Sequence, residues 1–168
     1  MRKRGPPLIS FATVRFMDDQ SLDAVARAIH ERWRVQQRAG GVAAPPTWAE
    51  LDESRRNSSR AQARDIDAKL RLVGCAIAPL TDDAATHFKF TEAEVESLGS
   101  HEHDRWVKER VADGWTSGPK DAARKMTPYL VPFSELPPDI AEYDRLFVRE
   151  LPNLLAAAYL QVVRVTPS

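Results

Sequence analysis

Two short stretches of this 168-residue chain carry the same side-chain chemistry. The first reads His30-Glu31-Arg32-Trp33 and the second His103-Asp104-Arg105-Trp106, 73 residues later. In each, an imidazole precedes an indole by three residues, with an acid and an arginine between. Asp23 and Glu96 stand ten positions before the two tryptophans, and Val25 and Leu98 follow at matching places. One turn beyond each indole lies a polar partner on the same helix face, Gln37 after Trp33 and Arg110 after Trp106. An indole offers a broad π-face to a flat ring, and an arginine offers charge to an anionic group. A unit stated twice implies two equivalent halves, and a surface shared near their symmetry axis is the natural place for a site.

The elements that must position these residues are mostly helices. Leu22, Val25, Ala26, Ile29 and Trp33 recur at helical spacing, which predicts an amphipathic helix from Ser21 to Arg38 with Ser21 as N-cap and Gly40-Gly41 as its end. Thr47-Trp48-Ala49-Glu50 is a capping-box pattern opening a short helix. The charged stretch Arg55 to Arg64 reads as a solvated face. Ile66, Leu70 and Val73 share one face of a further helix that stops at Gly74. Pro79 to Phe90 reads as a linker. A second capping box, Thr91-Glu92-Ala93-Glu94, opens the helix that carries Trp106, which Gly99-Ser100 weakens. Asp113 to Pro119 reads as a hairpin, with Gly114 and Gly118 as turn glycines and Trp115 as a packing residue. Tyr129 to Phe133 reads as extended. Pro137-Pro138 introduces a last helix with Phe147, Leu151, Leu154, Leu155 and Ala158 as its apolar stripe and Pro152 as a kink. Tyr159 to Val165 reads as a terminal strand, and Leu8 to Phe16 as a possible edge strand in an N-terminal lead-in over residues 1–19.

The halves also match beyond the first helix. Trp48-Ala49-Glu50-Leu51 answers Phe133-Ser134-Glu135-Leu136, and Asn57 is paired with Asp144. The second half holds about a dozen extra residues around Gly114-Trp115. The organisation expected is a repeat over 20–80, a linker over 81–90 and a second repeat over 91–168, together one compact domain.

Composition excludes several classes. Lys and Arg number 24, as do Asp and Glu, so the chain lacks the basic excess of a DNA binder. The basic start Met1-Arg2-Lys3-Arg4 precedes an apolar run too short for a signal peptide or a membrane span. The single cysteine, Cys75, fits a small buried residue in a reducing cytoplasm and excludes an internal disulfide. His101-Glu102-His103 puts its histidines two apart, on different helix faces, so no metal site is expected there. No nucleophile elbow, phosphate loop or spaced acid pair suggests an enzyme or a cofactor.

His103-x-x-Trp106, Gly114-Trp115-x-x-Gly118-Pro119, Pro128-x-Leu130-Val131-Pro132-Phe133-x-x-Leu136 and Tyr143-Asp144-Arg145 follow one another in an order that closely resembles the RyR domain. That module is repeated in ryanodine receptors and is also found in bacterial proteins. The likeness runs from about Thr91 to Val165, and the first half resembles a diverged copy without the Gly-Trp segment. Ser117 stands where the family usually has an aromatic, and Ala158 where it usually has a glycine that Gly74 keeps in the first half. The resemblance implies a mainly helical α+β fold, with two repeats paired about a pseudo-twofold axis and small β elements. It implies a non-catalytic sensor that holds a small nucleotide-like ligand, an adenine nucleotide or a nucleotide second messenger, between Trp33 and Trp106. Asn57 and Asp144 would fix the base edge, Arg110 a phosphate, and His30, His103 and Gln37 would border the slot. An effector protein would read the bound state. The competing readings are a protein-interaction module without ligand, whose tryptophans are buried, and a nucleotide-processing enzyme.

Overall fold

The computed structural model describes residues 17–81 and 87–165; the suggested edge strand at 8–16 lies outside them. The fold is α+β and mainly helical, with small strands. The chain divides into two compact units. One comprises the chain through Phe88 together with residues from Leu151 on, and the other is Lys89–Glu150.

The first unit begins with α1, Asp19–Ala39. Leu22, Val25, Ala26, Ile29 and His30 form its buried stripe, as the helical period requires. Its N-cap is Asp18, not Ser21: the Asp18 carboxylate accepts from the Ser21 amide at 2.7 Å, which makes Ser21 the third helical residue. A 3₁₀ turn at Trp48–Glu50 has the expected capping box, with Glu50 reaching back to the Thr47 amide at 2.7 Å. Helix α2, Glu53–Arg64, is the solvated stretch, and it buries only Ala63. Helix α3, Ile66–Arg71, buries Ile66, Lys69 and Leu70, while Val73 falls in the turn beyond it and is half-buried. Strand β1, Cys75–Pro79, follows; the sequence reading marked Cys75 as buried but not the strand around it.

The second unit opens with α4, Glu92–Ala112, which has the capping box expected at Thr91. It runs unbroken through Gly99-Ser100. Gly99 is needed for space: a Cβ there would stand 3.3 Å from the Phe133 ring and 3.7 Å from Arg145 Cγ. The segment after α4 is not a hairpin. Strands β2, Thr116–Ser117, and β3, Met126–Thr127, pair in parallel, with Asp121 bridging back to Met126. Gly114 is a turn glycine with φ +84°; Gly118 lies at a bend, where a Cβ would displace the Met126 methyl. Tyr129 to Pro132 is irregular and enters a 3₁₀ turn at Phe133–Glu135. Helix α5, Pro138–Ala156, runs through Pro152, and its last residues belong to the first unit. Phe147, Leu151, Leu154 and Leu155 are buried as expected; Ala158 lies in the turn beyond the helix and is half-buried.

The first unit is completed by β4, Leu160–Arg164, which pairs antiparallel with β1. Cys75 faces Arg164, Ile77 faces Val162 and Pro79 faces Leu160. This register is its own mirror: shifting each β1 residue by 85 positions gives its β4 counterpart, and Ile77 pairs with its own counterpart, Val162. The flanking hydrogen bonds keep the rule, Leu80 N–H to Tyr159 carbonyl and Val165 N–H to Gly74 carbonyl. The strand pair therefore has local twofold symmetry. Four residues of each strand are buried, and Ala76, Ala78 and Val163 cluster with Val165 packed against them.

Candidate functional site

In the first unit, His30 is 6% exposed and its Nε2 donates to the Pro46 carbonyl at 2.8 Å. A carbonyl can only accept, so this bond fixes the proton on Nε2. The ring stacks on Trp33 with centroids 5.4 Å apart and meets Trp48 edge-on at 6.0 Å. Helical spacing puts the imidazole against the indole, because residues three apart are neighbours on an α-helix.

The second unit repeats the device. His103 is 3% exposed, its Nε2 donates to the Val131 carbonyl at 2.7 Å, and it stacks on Trp106 at 5.7 Å. Phe133 takes the place of Trp48, 6.2 Å from the imidazole. Behind each aromatic lies an arginine. The Arg60 guanidinium lies over Trp48 at 5.6 Å and pairs with Asp23; that of Arg145 lies over Phe133 at 5.4 Å and pairs with Glu96. The acids singled out ten positions before the tryptophans are thus one member of an acid–arginine–aromatic cluster in each unit. The leucines after the 3₁₀ turns, Leu51 and Leu136, are both buried.

These correspondences correct two sequence alignments. The 85-residue offset that relates Trp48 to Phe133 and Arg60 to Arg145 sends Asn57 to Glu142, not to Asp144. Asn57 and Glu142 do the same work, each accepting from its arginine, at 3.0 and 3.5 Å. Asn57 is exposed in that cluster. The same offset pairs Gly74 with Tyr159, not Ala158: the two have φ of +66° and +56°.

The remaining predicted residues fall into two groups. Trp33 is 39% exposed, and Gln37, one turn on, is half-buried with its backbone carbonyl accepting from the Val42 amide. In the second unit Trp106, His103 and Asp144 meet at a cavity of about 140 Å³, whose wall also includes Tyr129, Ile140 and Tyr143. Asp144 reaches to 3.6 Å from His103 Nδ1. Arg110 stands over Trp106 at 5.5 Å and over Trp115 at 5.1 Å, so its guanidinium is shared by two indoles. Trp115 donates from Nε1 to Asp113 at 3.1 Å, which suits a packing role. Tyr129, Ile140 and Tyr143 were missed as wall residues; their common signal was closeness in sequence to Val131 and Asp144.

Acidic and basic groups are matched around this framework. Glu102, 2% exposed, pairs with Arg105, which also holds Glu109 at 2.6 Å. Burial alone would lower the affinity of Arg105 for its proton, but the hydrogen bonds and charges of Glu102 and Glu109 raise it above the ordinary value. Among the described residues no group of three or more His, Cys, Asp or Glu could hold a metal ion, and no helix is long and apolar enough to cross a membrane.

Compared with known proteins, the chain matches the family model described as the RyR domain over residues 87–164. No curated protein matches it.

Proposed function

From the match of residues 87–164 to the RyR domain model we propose that the chain is a non-catalytic binding module for a small, flat, nucleotide-like ligand. The observation that carries this reading is the cavity beside Trp106, where a half-buried indole, two tyrosines and the Asp144 carboxylate share one wall. A heteroaromatic ring stacked on such an indole is held by about 1–3 kcal/mol. Asp144 accepts from the ring's N–H edge, and Arg110, over the same indole at 5.5 Å, supplies charge for a phosphate. Trp33, resting on His30, offers a second stacking surface of the same construction. We read His103 as a brace for the indole: its Nε2 donates to the Val131 carbonyl and its ring stacks on Trp106.

Ligand binding would favour one arrangement of the module, and an effector protein would read it. The test is a titration of adenine nucleotides and nucleotide second messengers by tryptophan fluorescence and thermal shift, in wild type, Trp106→Ala and Trp33→Ala. Saturable binding in wild type that Trp106→Ala loses is the expected result. Equal binding in wild type and Trp106→Ala overturns the reading. A panel in which nothing binds returns the protein to the alternative of an interaction module without ligand.

A further inference from the structure

The wall of the Trp106 cavity has a charge character that a plain stacking slot does not need. Of its six side chains, three are electron-rich π-systems, Trp106, Tyr129 and Tyr143, one is the apolar Ile140, one is His103, and one is the carboxylate Asp144. None is Lys or Arg. Faces of Trp and Tyr attract cations through their ring quadrupoles, most strongly where water is excluded, and a carboxylate on the same wall adds attraction of the same sign. A neutral base would gain stacking and a hydrogen bond to Asp144 there; a cationic ring would gain the attraction of the aromatic faces and the carboxylate charge as well.

The first unit supplies an internal comparison. At the 85-residue offset, Tyr129, Ile140, Tyr143 and Asp144 correspond to Ala44, Arg55, Ser58 and Ser59. The His–Trp stack is present in both units, so the fold needs it in both. The two tyrosines and the acid are present in one only, and the fold does without them in the other. The place of Asp144 is taken in the first unit by the neutral Ser59, and that of Ile140 by Arg55, an exposed side chain that pairs with Asp52. The cation-seeking wall is therefore an addition to the shared framework.

We infer that the ring taken up beside Trp106, Tyr129, Tyr143 and Asp144 is a cationic heteroaromatic, a pyridinium or an N-alkylated purinium carrying an N–H₂ edge. This rests on the nucleotide-like reading and narrows it. The positive ring stacks on the indole, the phenols of Tyr129 and Tyr143 flank it, and the amide or amino group donates to Asp144. Trp33 plays no part in the preference for charge.

The test uses pairs of probes alike in shape and unlike in ring charge: oxidised against reduced nicotinamide mononucleotide, and 7-methylguanosine monophosphate against guanosine monophosphate. Affinities are measured by calorimetry on the full chain, with adenosine monophosphate as a neutral-ring reference. The expected result is that the cationic member of each pair binds about two- to fivefold more tightly, the ratio for a cation–π contact in a pocket open to water. Asp144→Asn and Tyr143→Leu, both at the pocket edge, should reduce that ratio towards one, and Trp33→Ala should leave it unchanged. Equal affinities within each pair overturn the inference and leave the nucleotide reading standing, provided Trp106→Ala abolishes binding. Binding of adenosine monophosphate with none of the four probes has the same meaning. Failure of all five compounds removes both.

Discussion

Tyr159 occupies the left-handed backbone position that Gly74 fills on the opposite side of the strand pair. The two residues precede β4 and β1, their φ angles are +56° and +66°, and each offers its carbonyl to the amide that closes the other strand. The symmetry of the strand pair demands the same turn twice, but only one copy has the residue that adopts it freely. Tyr159 is 80% exposed, so packing does little to offset the strain. Gly74→Ala should therefore destabilise the protein by about 1 kcal/mol, because a Cβ there meets no neighbour and only the backbone penalty is felt. Tyr159→Gly should be neutral or stabilising by up to about 1 kcal/mol, once the greater freedom of the unfolded glycine is offset. Urea unfolding of the two variants checks both signs; a clear loss of stability in Tyr159→Gly would show that the exposed ring makes a contact worth more than its strain.

His30 and His103 should behave alike on truncation. Each is buried, donates to a loop carbonyl and supports an indole. Replacement by Ala strands that carbonyl and opens a gap, which predicts a loss of about 2–3 kcal/mol at each site. Chemical denaturation followed by tryptophan fluorescence measures it, and a loss confined to one histidine would mean that the shared geometry is not shared energetics.

The Glu102–Arg105 pair gives a contrast between halves. The 73-residue offset places Ile29 opposite Glu102 and Arg32 opposite Arg105, so the first half keeps the arginine and buries an isoleucine where the second buries an acid. Glu102→Ala leaves Arg105 largely buried with only Glu109, and should cost about 3 kcal/mol. Replacing both partners together, Glu102→Ile with Arg105→Leu, should cost much less than the sum of the single changes. Additive losses in that double-mutant cycle would show that the two side chains act independently.

Acid should weaken the first unit through Asp23. Its hydrogen bond to Arg27 holds the carboxyl below the usual carboxylate value; burial opposes this, and Arg60 adds to the lowering. A group whose folded value is depressed contributes stability above its unfolded value and loses it as pH falls through the folded value. Melting temperature should thus decline below about pH 4, and Asp23→Asn should flatten part of that decline while lowering stability at neutral pH. The same acid slope in wild type and variant would remove Asp23 from the account.

Much of the framework was legible in the residues. Capping boxes at Thr47 and Thr91, the apolar period of α1, and the His-x-x-Trp repeat each report a local rule that tertiary structure did not overrule. The 12-residue difference between the two offsets, 73 before the second-half insertion and 85 after it, was readable as the extra length around Gly114-Trp115. What could not be read depended on contacts between distant residues. Parallel pairing of Thr116–Ser117 with Met126–Thr127 leaves the same turn residues as a hairpin would. The role of Gly99 is set by Phe133, 34 residues away. Asn57 and Asp144 looked equivalent because each follows a leucine by a few residues; the bonds that Asn57 and Glu142 accept from Arg60 and Arg145 show Glu142 to be the counterpart.

The register of β1 with β4 also dictates an order of events. The first unit draws its final strand from residues 160–164, after the whole of Lys89–Glu150 has intervened. During synthesis, then, the earlier-made helices wait with an open strand edge while the later, contiguous segment has all its parts as soon as it leaves the ribosome. Closing a loop of that length carries an entropic cost that rises only slowly with length, but it postpones the closure. Of the two units, the one begun earlier is finished later.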